Sequence, residues 1–165
     1  MSKEIKPEDI TIRTELRPGD LGYITYLHGA LYGKEYQYGI SFETYVAAGL
    51  NEFYQQYDPS RDRVWICEHG EEIVGFLLLM HRGEAAQLRY FLLEPAYRGL
   101  GLGKKLMEMY MAFYRQCGYT SSYLWTTNEL PAAASLYTRY GFRLVEEKES
   151  SAFGKLLKEQ KYELK

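Results

Sequence analysis

The sequence has no long apolar run, no secretion signal and no excess of either charge. Its longest uncharged apolar stretch, residues 73–80, has eight residues, far fewer than the roughly 20 that cross a bilayer. The polar start of the chain lacks the apolar core of a signal peptide, so we expect a cytoplasmic protein without a membrane segment. The net charge is −2, from 20 basic and 22 acidic side chains. Because no basic stripe is visible either, nucleic-acid partners are not expected.

Cysteine is also scarce, whereas tyrosine is abundant. Cys67 and Cys117 are the only cysteines, and they form no Cys-x-x-Cys pair and have no nearby histidine pair. This pattern argues against a disulfide scaffold and against a metal site, so no metal is expected. The chain contains 17 tyrosines, whose rigid, half-polar rings suit a pocket or an interface as well as a core. A homodimer is compatible with such a surface but is not required by it.

The spacing of apolar residues predicts one mixed domain over residues 1–165, because no repeat or linker divides the chain. Alternating or continuous apolar patterns predict strands at 9–16, 64–67, 73–81, 85–93, 121–127, 142–146 and 161–164. Helical spacing predicts helices at 21–32, 42–57, 101–116 and 131–140, with a tyrosine-rich loop at 33–39. Asp20 and Ser41 are expected to cap the first two helices. The resulting order indicates an α/β (α+β) fold with a mixed sheet of about seven strands.

A glycine-rich turn joins the strand at 85–93 to the helix at 101–116. Gly99, Gly101 and Gly103 have no Cβ, so their backbone N–H groups can approach a ligand closely. The first N–H groups of a helix have no internal partner and carry partial positive charge, which makes this turn a candidate anion site. Arg98, Lys104 and Lys105 add positive charge, and a pyrophosphate would fit this chemistry.

Other phosphate-binding patterns do not match this turn. A P-loop would need glycine at position 98 and serine or threonine at position 105, where the sequence has Arg98 and Lys105. The dinucleotide fingerprint would need a third glycine at position 104 or 106. An arginine followed by Gly-x-Gly remains, and a turn that binds no ligand is the alternative interpretation.

The turn resembles motif A of the GNAT N-acetyltransferase family. In that motif an aliphatic residue, a Gln or Arg and two glycines correspond to Leu93, Arg98, Gly101 and Gly103. Two downstream segments, residues 123–128 and 134–142, also resemble the family. The resemblance implies a GNAT fold with a mostly antiparallel seven-stranded sheet flanked by helices. It further implies an enzyme that transfers the acetyl group of acetyl-CoA to a primary amine of a small molecule, amino acid or peptide.

The resemblance also implies roles for particular residues. Tyr137 would protonate the leaving thiolate, a backbone N–H at Leu93 or a neighbour would bind the carbonyl oxygen, and Asn128 would bond the pantetheine arm or nearby backbone. The remaining cosubstrate contacts fall on motif A: Leu93, Arg98, Gly99, Gly101, Gly103 and Lys104. Each role has an alternative, since Tyr137 could be a packing residue, Asn128 a helix cap and Arg98 a solvated charge.

The acceptor side is less defined by the sequence. Glu35 is a candidate general base, with a solvated surface carboxylate as the equal alternative, and Tyr32, Tyr36 and Trp125 are candidates for lining the acceptor pocket. A non-catalytic acyl-CoA-binding regulatory domain, or a transferase for another acyl-CoA, remains an alternative function. Residues 28–36 and 151–157 further resemble the acetyltransferase half of bacterial MarR–GNAT fusion proteins. No winged helix precedes the first predicted strand here, so the DNA binding of those fusions is not carried over.

Overall fold

A computed structural model describes residues 4–165 of the chain. The predicted domain and the polar N-terminal segment thus include residues 1–3, which lie outside the described range. The strands are β1 Ile10–Arg13, β2 Arg63–His69, β3 Glu72–Arg82, β4 Ala85–Leu93, β5 Ser121–Thr127, β6 Arg143–Ser150 and β7 Leu157–Leu164. The α-helices are α1 Asp20–Tyr36, α2 Ile40–Gln55, α3 Leu102–Gln116 and α4 Pro131–Arg139. The predicted order of helices and strands is confirmed.

The strands form one seven-stranded sheet in the order β1-β2-β3-β4-β5-β7-β6. All neighbouring pairs are antiparallel except β4 and β5, which are parallel. The mixed, mostly antiparallel seven-stranded sheet that the sequence predicted is therefore confirmed.

The two strands of the single parallel pair, β4 and β5, separate after a short stretch of pairing, which leaves an opening near the centre of the sheet. β4 and β5 pair only where Ala85–Gln87 face Ser121–Tyr123, and no pairing continues beyond that point. The later residues of β4 consequently have no strand partner on the side that faces β5. Unpaired backbone groups of this kind can hydrogen-bond an extended ligand.

Both faces of the sheet are buried, each by a different pair of helices. The cluster on one face joins the sheet to α3 and α4 and includes Trp65, Leu77, Leu106, Tyr110 and Tyr137. The cluster on the other face joins the sheet to α1 and α2 and includes Ile24, Val46, Phe53, Ile66 and Phe76. Because both of its faces are covered, β3 is almost continuously apolar instead of alternating.

Some element boundaries differ from the predictions. Helix α1 continues to Tyr36, so the loop predicted at 33–39 is wrong over its first half. The aromatic rings of Tyr32 and Tyr36 pack on each other and on Tyr38, and this packing outweighs the helix-weakening glycine at position 33. The capping residues are Gly19 and Gly39 instead of Asp20 and Ser41. β6 and β7 are longer than predicted, since β6 is a solvent-exposed polar strand without an apolar pattern.

Candidate active site

A groove of about 630 Å³ runs from the glycine-rich turn along α4 to the opening between β4 and β5. Its wall includes every motif-A residue predicted to hold the cosubstrate: Leu93, Arg98, Gly99, Gly101, Gly103 and Lys104. The structure therefore brings these predicted residues together on one surface.

The glycine-rich turn presents its backbone amides to this groove. Gly99 and Gly101 have φ angles of +81° and +82°, a region that residues with a Cβ adopt at a cost. Gly101 is the N-cap of α3, and the N–H of Lys105 is the first to bond back into the helix, 3.1 Å from the Gly101 oxygen. The preceding helical amides have no partner in the helix and face the end where its dipole is positive. This geometry suits a bound anion.

Arg98 and Glu35 form an ion pair beside the turn. The two guanidinium nitrogens lie 2.9 and 2.8 Å from the two carboxylate oxygens of Glu35, and Nε donates to the Leu93 carbonyl oxygen at 3.1 Å. The hydrogen bond from Arg98 holds the pKa of Glu35 below its usual range. Glu35 lines neither the groove nor the pocket described next. A carboxylate with a lowered pKa is a weaker base, so this position gives the predicted base role of Glu35 no support.

A second, smaller cavity of about 100 Å³ lies on the other side of the opening between β4 and β5. We call it the aromatic pocket, because its wall includes the rings of His28, Tyr32, Tyr38, Phe42, Tyr45, Tyr90, Phe91, Trp125, Tyr137 and Phe153. The rings pack on one another, as the stacked pair Tyr32 and Phe42 shows with centroids 4.9 Å apart. Tyr32 and Trp125 line this pocket and Tyr36 lines the groove, and their predicted contact with the acceptor stays a prediction.

Tyr137 lies at the junction of the groove and the aromatic pocket and contributes to the walls of both. Its ring is packed edge-on against Phe91 at 6.2 Å and is 5% exposed. Its hydroxyl makes no hydrogen bond to any residue in the range 4–165. Burial raises the pKa of this phenol, so the group stays protonated at neutral pH and can donate its hydrogen.

A β-bulge in β4 shapes the same junction. Arg89 faces Leu78 and Leu92 faces Phe76 on β3, so Tyr90 and Phe91 together stand opposite one residue. Tyr90 has a φ of +60°, which is strained for a residue with a bulky side chain. The bulge turns backbone groups of Tyr90 and Phe91 out of the regular ladder, next to Tyr137.

Asn128 has two bonds to β7. Its Oδ1 accepts the N–H of Lys158 at 2.9 Å, and its own N–H donates to the Lys158 oxygen at 3.0 Å. The N-cap of α4 is Leu130, so the capping alternative for Asn128 is wrong. A bond from Asn128 to the pantetheine arm stays a prediction, and the observed contacts fix the nearby backbone.

The sequence analysis missed three contributions to the aromatic pocket. Residues 87–91, Phe153 and the buried His28 all line it. Nδ1 of His28 donates to the Ile24 oxygen at 2.8 Å, which leaves Nε2 as a buried acceptor without a partner among residues 4–165. Burial lowers the pKa of His28 to about 4. The unusual density of aromatic residues at 28–42 was the only sequence signal for this pocket.

The described part of the chain has neither a metal-site cluster nor a helix suited to crossing a membrane. Across residues 4–165, no three His, Cys, Asp or Glu side chains are grouped closely enough to hold a metal ion. Within the same range, no helix combines the length and the hydropathy that a membrane crossing requires.

Comparisons with known proteins agree with this geometry. The model of the acetyltransferase (GNAT) family matches residues 30–142. The chain is 32% identical over 117 residues to the uncharacterized N-acetyltransferase YjgM of Escherichia coli (strain K12), covering 67% of this chain and 70% of YjgM. It is 32% identical over 114 residues to N-acetyltransferase family 8 member 2 of Rattus norvegicus, covering 63% of this chain and half of that relative.

One solved structure illustrates the similarity of the fold. The structure of yncA from Salmonella typhimurium, solved with its cofactor acetyl-CoA, matches with a TM-score of 0.73 and 19% sequence identity. The match covers 95% of this chain and 94% of yncA. At this identity the likeness concerns the fold.

Proposed function

The chain belongs to the GNAT family of acetyltransferases, and we propose that it transfers the acetyl group of acetyl-CoA to a primary amine. The amine attacks the thioester carbonyl directly, a C–N bond forms, the C–S bond breaks and free CoA leaves. The amine loses one proton in this reaction and the departing thiolate gains one. Holding both substrates side by side supplies much of the rate enhancement of such reactions.

The backbone groups that line the groove suit the chemical groups of acetyl-CoA. The unpartnered amides between Gly99 and Lys104 are suited to the two phosphates, with the positive end of α3 behind them. The unpaired edge of β4 beyond Gln87 offers backbone donors and acceptors to the amides of the pantetheine arm. The thioester then reaches the junction where Tyr137 and the bulge at Tyr90–Phe91 lie.

One observation supports a transfer reaction most strongly: the walls of the groove and of the aromatic pocket share Tyr32, Phe91, Leu130 and Tyr137. A cosubstrate in the groove and an acceptor in the pocket would therefore meet at the Tyr137 hydroxyl. This hydroxyl has no protein partner within residues 4–165, and its raised pKa keeps it protonated, as a general acid for the thiolate requires. A backbone N–H of the bulge, close to the predicted Leu93, would donate to the carbonyl oxygen.

The acceptor of the amine proton is the second part of the proposal. Glu35 as the base stays a prediction, and its ion pair with Arg98 is better suited to positioning that arginine beside the phosphates. We propose that the proton leaves through water in the aromatic pocket.

Acetyl-CoA offered with a panel of primary amines tests the proposal. Release of free thiol should depend on the amine, and mass spectrometry should find the acetylated product. Tight binding of CoA without turnover of any amine would instead indicate the non-catalytic acyl-CoA-binding alternative. Comparing acetyl-CoA with longer acyl-CoA molecules in the same assay decides the acyl preference.

Three further expectations stay predictions: the cytoplasmic location, the single domain over residues 1–165 and the closer relation to the MarR–GNAT fusions. A homodimer is compatible with the tyrosine-rich surface but is not required by it. Light scattering of the purified protein measures the oligomeric state directly.

A further inference from the structure

The wall of the aromatic pocket contains two formally charged side chains, Arg89 on β4 and Glu159 on β7. The strand order places β4 and β7 on opposite sides of β5, so the two charges approach the pocket from different directions. Neither side chain forms an ion pair with another residue in the range 4–165. A charge that lines a pocket without an internal partner is suited to a ligand group of opposite charge.

Arg89 is held in place by aromatic rings. Its guanidinium lies over the ring of Tyr90 at 4.7 Å and over the ring of Tyr45 at 5.7 Å, and Nη2 is 3.4 Å from the Tyr45 hydroxyl oxygen. Stacking of this kind leaves the edge of the guanidinium, with its N–H donors, open to a planar anion.

Helix α2 makes room for this arrangement. A Cβ at Gly49 would lie 2.7 Å from Nη2 of Arg89 and would overlap the Tyr90 hydroxyl, so any larger residue would displace both side chains. The acidic residue one turn further along α2, Glu52, is paired with Arg82. The carboxylate of Glu52 is therefore already bonded, and apart from the contact with Tyr45 the N–H donors of Arg89 are left for a ligand.

From these contacts we infer that the acetyl acceptor carries a carboxylate and an apolar body besides its amine, as an apolar or aromatic α-amino acid does, and that Arg89 binds the carboxylate. The inference rests on the proposed function and names its substrate class. The stacked rings of the pocket fit the apolar body, and Glu159 provides the negative charge that attracts the ammonium form before attack. A polyamine would place a second cation against Arg89 and is disfavoured.

The test compares amino acids with the amines that remain when their carboxylate is removed. Leucine, methionine, phenylalanine and tryptophan are assayed against isoamylamine, 3-(methylthio)propylamine, phenethylamine and tryptamine, and kcat/KM is measured with acetyl-CoA saturating. The two classes differ in amine basicity, so the decisive quantity is kcat/KM for each amino acid divided by kcat/KM for its decarboxylated amine, compared between wild type and variant. Arg89→Gln should lower this ratio on the order of 10- to 100-fold.

Two further variants make the result specific. Arg89→Lys keeps the charge but loses the two-pronged contact, so its ratio should lie between those of wild type and Arg89→Gln. Arg115→Gln, at an exposed arginine on α3, is the matched control and should leave the ratio unchanged. Melting curves of all variants verify that each is folded.

The possible outcomes separate the inference from the proposed function. An unchanged ratio in Arg89→Gln, or turnover of spermidine and the decarboxylated amines alone, would overturn the inference and leave the proposed acetyl transfer standing. Absence of acetyl transfer to every amine would overturn both.

Discussion

Replacing Tyr137 by phenylalanine removes a hydroxyl that lies at the junction of the groove and the aromatic pocket. This hydroxyl has no hydrogen-bond partner in the described part of the chain, and its ring is 5% exposed. The substitution keeps the packing against Phe91 and Phe142. We therefore expect the free energy of unfolding to change by less than about 1 kcal/mol, because no intramolecular hydrogen bond is lost.

The rate of acetyl transfer should fall much further than the stability. Protonation by a positioned acid contributes typically 10²- to 10⁴-fold, so we expect a loss of about 10²-fold, equal to about 2.7 kcal/mol in the barrier. Burial raises the pKa of the phenol above its ordinary value, so wild-type Tyr137 stays protonated from pH 6 to pH 9. The deficit of the variant should accordingly be similar across that range.

Single-turnover kinetics with acetyl-CoA saturating measure this step without a contribution from product release. Tyr114→Phe is the matched control, because Tyr114 is also buried, also has a raised pKa and also forms no hydrogen bond within residues 4–165. It lines neither cavity. A Tyr137→Phe rate within threefold of wild type over the whole pH range would refute the acid role.

Three other perturbations give distinct expected results. His28 has a pKa of about 4 in the folded chain and an ordinary value of 6.5. The stability that depends on its neutral ring is therefore complete above pH 6.5. The free energy of unfolding falls by about 3 kcal/mol as the pH drops from 6.5 to 4. Denaturant titrations should show a weaker decline for His28→Leu over that window, with the difference at pH 7.5 reporting packing alone; an equal decline would contradict the burial of a neutral ring. Glu35→Gln should leave kcat within about threefold and change KM for acetyl-CoA, whereas a base role demands a loss of 10²-fold or more in kcat. Gly101→Val should cost about 1–2 kcal/mol of stability and weaken CoA binding. Gly118→Val, at a glycine with a φ of +74°, should cost similar stability and leave CoA binding intact. Equal CoA affinities of these two variants in calorimetry would count against the turn as the binding site.

The sequence predicted the architecture and the turn that brings the motif-A residues onto one surface, because local chemistry determines both. Gly99 and Gly101 adopt the left-handed conformation that lets the backbone of the turn approach a ligand closely, and Arg98 lies in the same turn after β4. β4 and β5 have the predicted bounds, since an apolar strand buried among other elements carries a strong pattern. The resemblance to the GNAT family is confirmed by the family comparison.

The acceptor side could not be predicted to the same extent, because it is assembled from distant segments. The aromatic pocket combines residues of α1, α2, α4, β4, β5, β7 and the loop before β7, and no local pattern brings Phe153 next to Phe42. The bulge that turns Tyr90 into the left-handed region depends on the register with β3. Likewise, the contact between Glu35 and Arg98 joins residues 63 positions apart.

The structure of the protein with bound acetyl-CoA is the most direct test of the central claim. The predicted result is that phosphate oxygens lie within about 2.7–3.2 Å of backbone nitrogens between Gly99 and Lys104. The thioester should then lie between the Tyr137 hydroxyl and the bulge of β4. Phosphates bound away from the start of α3, or a thioester remote from Tyr137, would contradict the account.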